Sequence, residues 1–152
     1  MTPQERLGAA TRIFLDTAPV IYFVEANPAY LSVVEDVFRR LDSGSLTAIS
    51  SPVTLAECLV HPLRRGNSVL ADSFVTLLKN GPGASMVGID PDDARVAANL
   101  RARHNLTLTD ALQLACSIRS GCDVFLTNDI ALKRVAAANV VCLDELRSAP
   151  IP

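Results

Sequence analysis

The stretch Arg12-Ile-Phe-Leu-Asp16 is a short apolar run that ends on an acid, and it predicts a buried strand. Asp123-Val-Phe-Leu-Thr127 contains a similar apolar run, and further strands are predicted at Leu46–Ile49, Ser85–Ile89 and Val140–Cys142. Helical patterns separate these runs. Short apolar strands that alternate with helices form parallel sheets covered on both faces. The sequence therefore predicts an α/β fold, a three-layer α/β/α sandwich with a mainly parallel central sheet.

The segments between the strands favour helices. Tyr30 to Leu41 carries apolar residues at helical spacing, and Ser51-Pro52 is typical of an N-cap followed by proline in the first turn. The other helices are predicted at Thr17–Glu25, Val53–Val60, Val69–Lys79, Pro91–His104, Thr107–Arg119 and Asn128–Ala138. The polar residues before Arg12 are assigned no element.

Length and composition limit the class of protein. The 152 residues suit a single domain spanning residues 1–152, and no apolar run approaches the ~18 residues of a membrane span. With no apolar signal segment, we expect a cytoplasmic protein that does not bind membranes. A net charge of −2 argues against a surface coated with basic residues. The cysteines are predicted to be reduced core residues: Cys58, Cys116, Cys122 and Cys142.

Two acids follow predicted strands. Asp16 closes the first strand, and Asp129 lies just past the strand Val124–Leu126. Ligands of open parallel sheets bind beyond the carboxyl ends of the strands. Both acids are therefore candidates for a site at that edge.

Glu57 lies inside a predicted helix. The three- and four-residue spacing puts it on one face with Val53, Ala56 and Val60, and we expect this face to turn toward the sheet. A charge there needs a partner or a metal ion. An internal salt bridge to Arg64 or Arg95 is the alternative to a functional role.

Asp110 opens another predicted helix. Thr107 and Asp110 have the spacing of a capping box, so a purely structural role is the alternative here. If all four acids meet, two carboxylates 4 Å apart repel by about 4 kcal/mol at an effective dielectric near 20. Such a pocket either takes up protons or holds divalent cations, and all-oxygen ligation suits Mg²⁺ or Mn²⁺.

Four pieces of the chain, in order, resemble the PIN domain, and in particular the VapC-like toxins of bacterial toxin–antitoxin pairs. They are Phe14-Leu-Asp16-Thr17, Ser51-Pro-Val-Thr-Leu-Ala-Glu57, Leu108-Thr-Asp110-Ala-Leu-Gln-Leu-Ala115 and Phe125-Leu-Thr-Asn-Asp129. The resemblance implies a Mg²⁺- or Mn²⁺-dependent ribonuclease. Asp16 and Asp110 would be its main metal ligands, Glu57 and Asp129 would complete the acidic pocket, and Thr17 and Thr127 would support it with hydroxyls.

The resemblance also implies partners: an RNA substrate, a cognate antitoxin protein and a second copy of the chain in a homodimer. The mean hydropathy of +0.29 suggests apolar surface left over for such contacts. Tyr30, Val34 and Phe38 either line a groove for the antitoxin or belong to the core. The sequence leaves the RNA target open, and it predicts that Asn128 caps a helix.

Three other functions compete with a nuclease. A phosphoryl-transfer enzyme of the haloacid dehalogenase type needs a second aspartate where this chain has Ala18. A phospho-receiver module needs an acidic pair after its first strand, and none appears there. A PIN-fold interaction protein without turnover remains open.

Overall fold

The structure is a computed structural model that describes residues 1–147. Its strands form one five-stranded sheet in the order β3-β2-β1-β4-β5, and every neighbouring pair is parallel. The strands are β1 (Arg12–Leu15), β2 (Thr47–Ser50), β3 (Ala84–Met86), β4 (Val124–Thr127) and β5 (Val140–Cys142).

One helix precedes β1, and the others occupy the segments between the strands. The helices are α1 (Pro3–Ala9), α2 (Thr17–Val24), α3 (Leu31–Asp42), α4 (Pro52–Arg64), α5 (Ser68–Asn80), α6 (Pro91–His104) and α7 (Leu108–Arg119). Ser51 caps α4 through its side chain, as predicted from the Ser51-Pro52 pair.

The two faces of the sheet pack into separate apolar clusters. Ile13 and Leu15 of β1 lie in one cluster with residues of α1 to α5, while Phe14 lies in the other with residues of α6 and α7. Phe14 and Phe125 of the neighbouring β4 stack there with ring centroids 5.3 Å apart. This alternation confirms the predicted three-layer α/β/α fold with a parallel sheet.

The strand order creates a switch point in the middle of the sheet. The chain runs outward from β1 to β2 and β3, then returns to place β4 on the other side of β1. At such a point the connections leave in opposite directions and open a crevice at the carboxyl ends of the strands. Asp16 lies there, with its backbone N–H donating to the carbonyl of Leu126 at 3.0 Å.

Two segments differ from their predictions. Helix α1 was not predicted because it depends on local capping, in which Thr2 and Glu5 form a capping box ahead of a single buried residue, Leu7. The helix predicted over Asn128–Ala138 is instead two 3-10 turns, Ile130–Arg134 and Ala136–Ala138. The buried residues of the two turns, Leu132 and Ala138, and Val135 between the turns recur every three positions, which matches the 3-10 repeat.

The apolar stripe of α3 belongs to the core. Tyr30, Val34 and Phe38 are each at most 7% exposed, and Phe38 stacks on Phe23 of α2 with centroids 3.8 Å apart. These side chains are therefore not free to line a groove for a partner. None of the helices in the described residues is long and apolar enough to cross a lipid bilayer.

Candidate acidic site

All four predicted acids line one pocket at the switch point. The pocket lies where β1 and β4 end, and α2, α4 and α7 contribute to its walls. Its lining consists of Asp16, Thr17, Ala18, Ile21, Tyr22, Glu57, Asp110, Thr127, Asn128 and Asp129. Residues far apart in sequence thus meet as expected from the ends of parallel strands.

Asp16 is held by two hydrogen bonds. Its Oδ1 atom accepts from the backbone N–H of Thr17 at 2.9 Å, and its Oδ2 atom accepts from the hydroxyl of Thr127 at 2.7 Å. Burial raises the pKa of Asp16 even though both bonds act in the opposite direction, and the charges of Asp110 and Asp129 raise it further. The charged form of Asp16 therefore gains from any cation in the pocket.

Thr127 connects two of the acids. Besides donating to Asp16, its hydroxyl accepts a hydrogen bond from the backbone N–H of Asp129 at 3.0 Å. The Oδ1 atom of Asp129 accepts from the N–H of Ala131 at 3.0 Å and so caps the first 3-10 turn. Asp129, not Asn128, is the cap, and the prediction that Asn128 caps this segment is wrong.

Glu57 reaches the pocket from a different helix face than predicted. The buried positions of α4 are Thr54, Cys58 and Pro62, whereas Ala56 is exposed and Val60 is 46% exposed. The expectation that the face of Val53, Ala56 and Val60 turns to the sheet is wrong. Glu57 is solvent-exposed. Partial desolvation raises its pKa, and the charges of Asp16 and Asp110 raise it further.

Asp110 is half-buried in the first turn of α7. Its backbone N–H donates to the hydroxyl of the N-cap Thr107 at 3.2 Å. The reciprocal bond from its carboxylate to the cap, which would complete a capping box, is absent between these two described residues. The carboxylate lines the pocket instead, so the capping interpretation accounts for the backbone of Asp110 and not for its side chain.

The pocket contains no cationic side chain. In residues 1–147, none of the four acids forms an ion pair, and the lining includes neither Lys nor Arg. The predicted alternative, a salt bridge from Glu57 to Arg64 or Arg95, is therefore not formed. Burial is the main cause of the raised pKa values of Asp16 and Glu57, and repulsion between carboxylates without a cation raises them further.

The acids do not form a closed metal cage. No three His, Cys, Asp or Glu side chains among the described residues are arranged to hold a metal ion by themselves. Mg²⁺ is usually bound by one or two carboxylates and keeps several waters. A pocket whose acids are too far apart to surround the ion can therefore still bind it. The Thr17 hydroxyl is buried in the pocket wall with no hydrogen-bond partner in the described chain, and it is available to such a water.

Four lining residues were not among the predicted site residues: Ala18, Ile21, Tyr22 and Asn128. The Asn128 amide donates to the hydroxyls of Tyr22 at 3.2 Å and Tyr30 at 3.1 Å, and the two tyrosine rings stack with centroids 4.4 Å apart. Helical spacing from Asp16 along α2 could have indicated Tyr22. The role of Asn128 depends on contacts that no local pattern reveals.

Comparisons with known proteins identify a family and a fold. Residues 13–138 match the family model described as the PIN domain. A comparison with curated proteins found no match.

Several solved structures share the fold at low sequence identity. A toxin–antitoxin complex from Klebsiella pneumoniae has a TM-score of 0.66 and 16% identity, covering 91% of this chain and 99% of the other. VapBC2 from Rickettsia felis, bound to a promoter DNA fragment, has a TM-score of 0.64 and 16% identity, covering 86% and 97%. VapC20 from Mycobacterium tuberculosis, a Sarcin-Ricin loop cleaving toxin, has a TM-score of 0.60 and 18% identity, covering 74% and 86%.

Proposed function

The chain belongs to the PIN domain family, and from this membership and its acidic pocket we propose that it is a ribonuclease that hydrolyses phosphodiester bonds with a divalent cation. The observation that carries the proposal is the meeting of Asp16, Glu57, Asp110 and Asp129 in one pocket without a cationic partner in the described chain. Caps account for one oxygen each of Asp16 and Asp129, and none of the four charges is neutralised by an ion pair within residues 1–147.

The donor set suits Mg²⁺ or Mn²⁺. In this proposal Asp16 and Asp110 are the principal ligands, and Glu57 and Asp129 complete the pocket directly or through waters. A bound cation of this kind neutralises phosphate charge and lowers the pKa of a bound water. Water as the nucleophile predicts products with a 3′-hydroxyl and a 5′-phosphate.

The protein's own contribution is to hold the acids in place against their repulsion. The Thr17 N–H and the Thr127 hydroxyl each fix one oxygen of Asp16, so the carboxylate cannot rotate away from the pocket. The Thr127 hydroxyl also anchors the backbone of Asp129. Ala18, Ile21 and Tyr22 form a less polar wall beside the acids, where a sugar or base of the substrate can lie.

We further propose that the nuclease is the toxin of a toxin–antitoxin pair and acts as a homodimer in the cytoplasm. Support comes from fold similarity to toxin–antitoxin complexes over most of this chain. A small antitoxin should then copurify with the chain when both are produced from neighbouring genes, and it should suppress the cleavage. Sedimentation of the purified chain measures its molar mass in solution, which should be that of a dimer.

The nuclease is tested by incubating the purified protein with structured RNA in Mg²⁺, in Mn²⁺ and in chelator. Asp16→Asn and Asp110→Asn remove one charge each from the pocket, and Asp72→Asn makes the same change at an exposed position of α5 outside it. We expect cation-dependent cleavage by the wild type and by Asp72→Asn, and a loss of at least about 100-fold in both pocket variants.

Two outcomes contradict the proposal. Cleavage that persists in chelator or survives Asp16→Asn excludes this site as its source. Absence of cleavage together with a stable complex with a small partner protein supports the interaction protein instead. Mapping the product ends distinguishes attack by water from attack by the ribose 2′-hydroxyl, since only the former leaves a 5′-phosphate.

A further inference from the structure

A fully buried polar network lies beneath the acidic pocket. Ser51, Thr54 and Gln113 are each at most 1% exposed. The Gln113 side-chain amide donates to the Thr54 hydroxyl at 2.7 Å, and the Ser51 hydroxyl donates to the Gln113 side-chain carbonyl. The Thr54 hydroxyl in turn donates to the backbone carbonyl of Leu15 at 3.3 Å. Each of these three side chains is thus hydrogen-bonded although buried, as the large majority of buried polar groups are.

Each end of the network lies next to one acid of the pocket. Thr54 is one helical turn before Glu57 on α4, and Gln113 is one turn after Asp110 on α7. The third end, the carbonyl of Leu15, belongs to the residue that precedes Asp16. The bonds therefore join the three segments that carry Asp16, Glu57 and Asp110.

The two helices joined by Gln113 belong to opposite layers of the sandwich. Cys58 of α4 packs into the cluster on one face of the sheet, and Leu114 of α7 packs into the cluster on the other. The network connects them around the carboxyl edge of the sheet, where the acids repel one another. Apolar contacts fill space without direction, whereas a buried amide bonded at both ends fixes a distance and an orientation.

We propose that Gln113 is a positioning residue that, through Thr54 and Ser51, sets the separation of Glu57 and Asp110 around Asp16. The inference rests on the proposed function, because it gives this separation a purpose in holding a divalent cation. Gln113 touches neither the cation nor the substrate. It acts by holding the carboxylates at the spacing that the cation needs.

The test compares variants that remove the network with one that weakens the fold elsewhere. Gln113→Leu removes both hydrogen-bonding groups of the amide. Thr54→Val keeps the branched shape and removes the hydroxyl, and Thr54→Ser keeps the hydroxyl. Leu41→Ala makes a cavity in α3, where Leu41 is 2% exposed and outside the pocket lining.

Two readouts are measured on each variant: Mn²⁺ affinity of the RNA-free protein by calorimetry, and kcat and KM for RNA cleavage. We expect Gln113→Leu and Thr54→Val to weaken Mn²⁺ binding by about tenfold or more and to lower kcat more than they change KM, as changes behind metal ligands do. Thr54→Ser should stay within about threefold of the wild type. Leu41→Ala should lower thermal stability and keep Mn²⁺ affinity.

Each result decides the matter. Wild-type Mn²⁺ affinity in Thr54→Val overturns the inference, and so does an equal loss in Leu41→Ala, because the effect would then be general destabilisation. If Gln113→Leu does not fold, the contrast between Thr54→Val and Thr54→Ser decides. A wild-type protein that neither binds Mn²⁺ nor cleaves RNA overturns the proposed function and this inference with it. A wild type that does both, with variants that match it, overturns only the inference.

Discussion

The hydroxyl of Thr127 donates to the Oδ2 atom of Asp16 at 2.7 Å, which joins the last residue of β4 to the residue that follows β1. Because these two strands flank the switch point, one hydrogen bond spans the crevice that the acidic pocket occupies. The acceptor is the carboxylate of Asp16, whose pKa is already raised by burial. Thr127 therefore affects both the geometry and the charge of the pocket.

Thr127→Val should move the acidic limb of the pH–rate profile to higher pH. The Thr127 bond favours the charged form of Asp16, so its loss raises the pKa of Asp16 above its present, already raised position. Activity that needs the carboxylate is then lost at a higher pH as the solution is acidified. The profile of kcat/KM measures this change.

Thr127→Ser is the matched control because it keeps the donor and removes only a methyl group. Its profile should overlie that of the wild type. If Thr127→Val shows the wild-type profile, the Thr127 bond does not govern the ionisation of Asp16.

The fold and the meeting of Asp16 with Asp129 were predictable because their signals are local. Short apolar runs mark buried strands, and acids at or just past the ends of two of them meet at the edge of a parallel sheet. Glu57 shows the limit of this reasoning. Its helix offers an apolar face through Val53, Ala56 and Val60, but the structure buries Thr54, Cys58 and Pro62. Threonine does not count as apolar in such a pattern, although here the hydroxyl of Thr54 is buried and hydrogen-bonded to Leu15 and Gln113.

The Ser51–Thr54–Gln113 network could not be predicted for a similar reason. Gln113 finds its partners 59 and 62 positions away in sequence, and no spacing rule links them. A buried glutamine in a helix of apolar neighbours is conspicuous only when the fold is known. Sequence patterns thus indicate which acids lie at the ends of strands, and only the structure shows which buried residues support the segments that carry the acids.

Cys58 should resist thiol reagents in the folded protein. It is 1% exposed, and burial together with the neighbouring charge of Glu57 raises the pKa of its thiol to about 12. Only the thiolate reacts, so both access and ionisation protect it. At pH 8 we expect Cys122, which is half-buried, to react before Cys58.

Mass spectrometry of the labelled protein identifies which cysteine has reacted. Full labelling of Cys58 should require urea, and its rate should follow global unfolding. Rapid labelling of Cys58 without denaturant would show that α4 separates from the core in the native protein.

Tyr30→Phe should destabilise the protein by about 1 kcal/mol, the usual net contribution of a hydrogen bond between partly buried groups. The Tyr30 hydroxyl donates to Asp144 at 2.6 Å and accepts from Asn128 at 3.1 Å. The variant loses both bonds, but Asp144 is exposed and water can replace the first. The ring itself is 7% exposed and is retained. Urea unfolding measures the change.

Asn128 keeps its bond to Tyr22 in this variant, so the wall of the pocket should survive. We expect RNA cleavage by the folded Tyr30→Phe protein to remain within about threefold of the wild type, because no acid of the pocket loses a partner. A loss of activity without a loss of stability would show that the Asp144–Tyr30–Asn128 contacts serve the site rather than the fold.

Glu57→Gln should raise the stability of the cation-free protein. The pKa of Glu57 is raised in the folded state by desolvation and by the charges of Asp16 and Asp110. For an acid this direction means that the folded state binds its proton more tightly, so stability falls as the pH rises through the folded pKa. An uncharged amide removes this penalty at neutral pH, and because Glu57 is exposed the rise in the unfolding midpoint should be small.

In saturating Mn²⁺ the wild type should be more stable than Glu57→Gln, the reverse of the order expected without the cation. A ligand that binds only the folded state stabilises it in proportion to the logarithm of its concentration over its Kd, by about 2.7 kcal/mol at 100 times Kd. The wild type keeps all four carboxylates and should gain more from the cation than Glu57→Gln does. Thermal unfolding with and without Mn²⁺ measures both changes. If Glu57→Gln gains as much from Mn²⁺ as the wild type, Glu57 takes no part in holding the cation.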